Sequence, residues 1–237
     1  MPNLQRANVL AVKLLLRQRI TSLRTDPLHL DCSGQILVDS VQHYAECVGR
    51  SAEDFMAQNS RDCQAYAVYG RHLILYNREV LSSCRRRWSI AHELGHICCR
   101  HSCDGVREEA EANAFAASLL MPTAAAGELI HRGRLRDAKD LCDIFGVSLQ
   151  SAQLRMQQLE RTGTQLTELE EQLRQRYLPV IEEYLVAPVI TLPRSRLEPP
   201  PLLLEPLPLE ELSGAFWGGS RRSAIWSKDS SARPNSS

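Results

Sequence analysis

The chain has 237 residues, of which 43% are hydrophobic, with 28 basic and 28 acidic side chains and a formal net charge of zero. That length and apolar content suffice for one substantial domain with a smaller appendage. The charge balance argues against a dedicated nucleic-acid binder or a polybasic membrane surface, since either needs surplus positive charge, and it leaves room for a local basic patch.

Residues 4–19 carry Leu4, Val9, Leu10, Val12, Leu14, Leu15 and Leu16 at helical spacing. Lys13 interrupts this run and Arg17 and Arg19 follow it, so it reads as neither a membrane span nor a secretory signal. A cytoplasmic address is therefore expected, and with it reduced cysteines that behave as small hydrophobes. Thr25-Asp26-Pro27 marks a turn, residues 35–38 suit a short strand, and 41–47 and 52–57 are ambiguous. Residues 66–69 and 72–76 flank Gly70-Arg71 and predict a β-hairpin with a two-residue turn. Residues 85–101 and 106–121 predict two helices, the second closed by Pro122. Residues 135–144, the turn Phe145-Gly146-Val147-Ser148 and residues 149–161 form a helix–turn–helix pattern with Ser148 as N-cap. A charged helix is expected over 166–177, ending before Pro179. From residue 188 the chain turns proline-rich and then rich in Gly, Ser and charge, as a linker and disordered tail would be. The expected division is a core over 1–125, a helical region over 126–187 and the tail over 188–237.

The chemistry concentrates at His92-Glu93-Leu94-Gly95-His96. On a helix, residues four apart share one face, so His92 and His96 present two imidazoles to one point at the reach that zinc requires. Glu93, one position round, is placed to take a proton from a metal-bound water and pass it to a leaving amine. A catalytic zinc needs a third protein ligand. The extended metzincin pattern requires Gly at 99 and His at 102, where Cys99 and Ser102 stand. A carboxylate from the next helix is the remaining route, and Glu108, Glu109 and Glu111 are candidates that spacing alone does not separate. Glu109 is favoured because Asn113, four residues on, shares its face and is placed to orient a ligand histidine from behind; Glu111 is the runner-up. His101 is expected at the surface or behind the ligands. Tyr76 and His101 are candidates for contacting the substrate or its developing oxyanion. Cys98, Cys99 and Cys103 lie near this helix without the spacing of a zinc knuckle.

Two blocks carry a family resemblance. Arg86-Arg87-Trp88-Ser89-Ile90-Ala91 leads into the metal motif, and Glu109-Ala110-Glu111-Ala112-Asn113-Ala114-Phe115-Ala116 continues to Leu120-Met121-Pro122. Together they resemble the ImmA/IrrE metallopeptidases, gluzincin-like enzymes, with Trp88 in place of the usual Phe; the resemblance covers about residues 20–160. It implies an α+β fold: a zincin-like core with a small sheet, an active-site helix and a ligand helix, followed by a helix–turn–helix-like hairpin. It implies one zinc per chain held by His92, His96 and Glu109, with Glu93 as general base. It places residues 73–76 on an edge strand beside which an extended substrate adds. It also implies a protein substrate, a helix–turn–helix repressor of a mobile element or stress regulon.

The competing classes are a DNA-binding regulator and an interaction module with a structural zinc. Residues 149–161 carry Arg155 and Arg161 against Glu160, less positive charge than phosphate contacts demand. A closed structural site would leave Glu93 without a purpose.

Overall fold

The computed structural model describes residues 1–56, 63–68, 71–79, 82–103 and 105–186. The linker and tail expected over 188–237 lie outside these residues.

The run His72-Leu73-Ile74-Leu75-Tyr76 is apolar at nearly every position, and a strand of that kind must bury both faces. It forms β3 (Arg71–Tyr76), with β1 (Ile36–Ser40) parallel on one side and β2 (Cys63–Val68) antiparallel on the other, in the order β1-β3-β2. Leu73 and Leu75 pack with Val41, Tyr44, Ala45 and Phe55 from α2 (Val41–Cys47) and α3 (Ala52–Met56). Ile74 and Tyr76 point the other way, into the main core. Leu73 and Ile74 are fully buried, which stabilises the sheet by about 1.5–3 kcal/mol each. The expectation of an edge strand at 73–76 is therefore corrected: β3 is central, and the edges are β1 and β2. The expected hairpin is present, but Val68 pairs with Arg71, which moves the two intervening residues to Tyr69 and Gly70, outside the described set.

Helix α4 (Ser83–Cys99) begins at Ser82, whose hydroxyl accepts from the Arg85 N–H, and buries Ile90, Ala91, Leu94 and Ile97. Helix α5 (Val106–Leu120) crosses it at Gly95. A Cβ there would stand 2.9 Å from both Cα and O of Ala112 and 3.1 Å from Cβ of Phe115, so the two backbones meet where only glycine fits. Between the helices Arg100 adopts a left-handed conformation, φ 58°, which lets the His101 N–H donate back to the His96 carbonyl at 3.0 Å. Helix α1 (Leu4–Arg17) lies on α5, burying Ala7, Ala11, Leu14 and Leu15, and the Ser118 hydroxyl donates to Asn8.

Pro122 ends α5 and also serves as N-cap of α6 (Thr123–His131), a helix the sequence reading did not anticipate. Helices α7 (Ala138–Phe145) and α8 (Leu149–Thr162) follow, joined through Gly146 at φ 64°. The last carbonyls of α7 lack helical partners, and Arg87 and Arg24 satisfy them: Arg87 donates to the carbonyls of Phe145, Gly146 and Thr25, and Arg24 to those of Asp143 and Ile144. Helix α9 (Glu168–Val186) runs through Pro179, correcting the expected stop at 177. An interior proline costs a helix about 3 kcal/mol. Burial of Leu173, Tyr177 and Ile181 on both sides of it, in the same core as α1, α4, α5 and α6, offsets that cost. The architecture is α+β, a small sheet against a larger helical layer, and it suits a zincin-like domain.

Candidate metal centre

The close crossing of α4 and α5 sets the site. With Gly95 against Ala112, Glu109 on the first turn of α5 comes level with His92 and His96 on α4. His92 Nε2 and His96 Nε2 stand 3.0 Å apart, His92 Nε2 lies 3.3 Å from Glu109 Oε2, and His96 Nε2 lies 3.7 Å from Glu109 Oε1. Ligands at about 2.0–2.1 Å around a tetrahedral zinc are separated by about 3.3–3.4 Å, and the three observed separations bracket that figure. The donor set fits as well: at most one proton can lie between the two facing nitrogens, and a carboxylate completes the triangle, so three electron-pair donors converge where a cation would satisfy all of them.

Glu93, 6% exposed, projects from the same helix, and its Oε2 accepts from the Ala65 N–H at 3.2 Å. Ala65 lies on β2, so the sheet edge that approaches the site is β2. The His92 Nδ1 is 3.1 Å from Asn113 Oδ1. Asn113 thus stands behind His92, the position expected for it.

Glu111, the runner-up third ligand, is not with the other two. It is 2% exposed and turned toward α1, accepting from the Asn3 N–H at 2.7 Å, from Arg107 Nε at 3.1 Å, and lying 3.1 Å from His101 Nε2. The bond from the Asn3 N–H, reinforced by His101 and Arg107, pulls its carboxyl down to about 2. His101 is buried, not at the surface, and its Nδ1 lies 3.1 Å from His96 Nδ1. Tyr76 is buried in the main core beneath the Arg86 guanidinium, 5.6 Å from its ring centroid, and burial raises its phenol. Cys99 Sγ falls within 4.8 Å of ligand atoms of His101 and Glu111, and burial pushes its thiol up to about 11. Cys98 is likewise pushed up to about 12. Neither thiol is poised to ionise.

Two features of the site escaped the sequence reading. The Ala65 N–H is a backbone donor and has no residue signature. The interior glycine of the motif did carry a signal, because an isolated glycine in a helical pattern points to a close packing partner.

Residues 51–157, a little under half of the chain, match the family model of the IrrE N-terminal-like domain, Peptidase_M78. Over that stretch the chain is similar to this family of peptidases, in agreement with the motif blocks. No curated protein and no solved structure matches the chain. Among the described residues, no helix is long and apolar enough to cross a membrane.

Proposed function

We propose that the protein is a zinc-dependent endopeptidase that hydrolyses a peptide bond in a regulatory protein, a helix–turn–helix repressor being the substrate class that the family resemblance favours. The observation that carries the reading is the convergence of His92, His96 and Glu109 within 3.0–3.7 Å of one another beside a buried Glu93. His92, His96 and Glu109 hold the metal; Asn113 fixes the ring of His92. Zinc, when bound, supplies a Lewis acid that brings the pKa of water from about 15.7 toward roughly 7. Glu93 takes the proton of the attacking water, holds it in a pocket shielded from solvent, and returns it to the leaving amine. The Ala65 N–H holds one oxygen of its carboxylate. An extended substrate would add along β2, the edge next to Glu93, with main-chain hydrogen bonds holding its scissile peptide beside Glu93. In this reading residues 1–125 form the catalytic core, residues 126–187 a helical region packed on it, and the enzyme works in the cytoplasm.

The DNA-binding reading loses its main support. Arg155, the foremost cation of α8, is 3% exposed and donates to the Met121 carbonyl, Thr123 Oγ1 and Gln158 Oε1. Its guanidinium is committed to the interior, away from any phosphate.

The test compares new protein N-termini in cells producing the wild type or Glu93→Gln. A cleavage product of a helix–turn–helix regulator seen only with the wild type is expected. An identical set of N-termini in both, from wild-type protein that carries zinc, would overturn the peptidase assignment.

A further inference from the structure

The two histidines of the centre are backed differently. His92 meets a neutral amide oxygen at Asn113. His96 leads into a buried chain: its Nδ1 to His101 Nδ1 at 3.1 Å, then His101 Nε2 to Glu111 Oε2 at 3.1 Å. With both rings neutral and the His96 Nε2 lone pair kept for a cation shared with His92 and Glu109, one proton arrangement satisfies that chain. His96 must carry its proton on Nδ1 and donate to His101 Nδ1, and His101 must carry its own on Nε2 and donate to Glu111. The carboxylate at the far end is itself held, its other oxygen accepting from the Asn3 N–H and Arg107 Nε. The left-handed turn at Arg100 makes the chain possible, since it folds His101 back beneath the last turn of α4. Asn3 opens α1, which lies outside the stretch matched by the family model.

We propose that His101 and Glu111 are positioning residues for the metal centre, a His–His–carboxylate chain that fixes the tautomer and ring orientation of His96 and is anchored at its far end by the first turn of α1. This rests on the metallopeptidase reading, since it assigns these residues a role toward zinc held by His92, His96 and Glu109. A ligand imidazole that donates its second N–H into an acceptor ending in a carboxylate is more basic and loses less freedom on binding the metal. Breaking such support costs about 10–100-fold in metal affinity.

The test measures the zinc dissociation constant of the purified full chain by competition with a chromogenic chelator, beside the visible spectrum of the cobalt-loaded protein. His101→Leu keeps the bulk and loses both nitrogens, and it should weaken zinc about 10–100-fold and alter the cobalt spectrum. His101→Gln offers an acceptor toward His96 and a donor toward Glu111, and it should recover most of the affinity and the wild-type spectrum. Should His101→Leu fail to fold, Glu111→Gln serves in its place, with zinc weakened by about 10-fold and Glu109→Gln as the ligand-loss control. Affinity within twofold of wild type in folded His101→Leu or Glu111→Gln would overturn the proposal. So would a second bound zinc that disappears in Cys99→Ser, because His101 and Glu111 would then be ligands themselves. Wild-type protein that takes up no zinc would instead sink the metallopeptidase reading on which the proposal stands.

Discussion

Gly95→Ala tests whether the helix crossing builds the metal centre. An added methyl would sit 2.9 Å from Cα and O of Ala112 and 3.1 Å from Cβ of Phe115. Carbon atoms pack comfortably at about 3.5–4.0 Å, so α5 would have to retreat by about 0.6–1 Å. Two of the three contacts are backbone atoms, which no rotamer change relieves. Overpacking of this kind costs about 1–3 kcal/mol, against a helix-propensity gain of about 0.8–1 kcal/mol for replacing glycine by alanine. The net effect runs from about zero to a loss of about 2 kcal/mol, which for a domain of this size lowers the Tm by at most about 8 °C. Glu109 lies one turn before Ala112 on the displaced helix, and metal–ligand distances tolerate only about 0.2 Å. Zinc affinity should therefore fall by at least about 10-fold, a larger effect than the stability change alone would produce. Thermal unfolding of the metal-free protein and chelator competition measure the two quantities separately. A raised Tm with unchanged zinc affinity, the result an unhindered helical alanine would give, would refute the reasoning.

Glu93→Gln should retain zinc but lose at least about a hundredfold in turnover, the range a missing general base commonly costs; loss of zinc together with activity would place Glu93 in the ligand set instead. Arg155→Met leaves the Met121 carbonyl and Thr123 hydroxyl without their buried donor, so denaturant unfolding should show a loss of about 2–4 kcal/mol. Salt-sensitive DNA binding that this substitution abolishes in a still-folded protein would contradict the interior role. Glu128 has its carboxyl lowered by Arg132 and then by Arg174, a direction that makes its contribution to stability present above the unfolded carboxylate pKa of about 4.3 and lost as pH falls through the lower folded value. The Tm gap between wild type and Glu128→Gln should accordingly be open at pH 7 and close below about pH 4; a gap that widens on acidification would reverse the sign of that argument.

What the sequence made legible was periodic or spaced along one element. His92 and His96 share a helix face by their spacing alone, and Glu109 with Asn113 repeats that logic on the next helix; the structure brings Glu109, and not Glu111, to the two histidines. Contacts that depend on a chain reversal were not legible. His101 sits five residues past His96, a separation that on a continuous helix would point it elsewhere. Only the left-handed Arg100 returns it to His96, and arginine carries no signal for that conformation. Glu111 is a ligand candidate in the sequence because its carboxylate is visible there and its partner at Asn3, 108 positions away, is not. The central place of β3 could have been read from its unbroken apolar run, which an edge strand open to solvent would not carry. Pro179 misled for the opposite reason: a strong local breaker was overridden by tertiary burial of Tyr177 and Ile181.

The central claim is that His92, His96 and Glu109 bind one zinc ion, and elemental analysis of zinc-saturated protein tests it most directly. The account predicts about one zinc per chain in the wild type and in Glu111→Gln, whose defect is in affinity, and close to none in Glu109→Gln. Zinc retained by Glu109→Gln and lost from Glu111→Gln at saturation would contradict the ligand set, and no zinc in any of the three would contradict the enzyme.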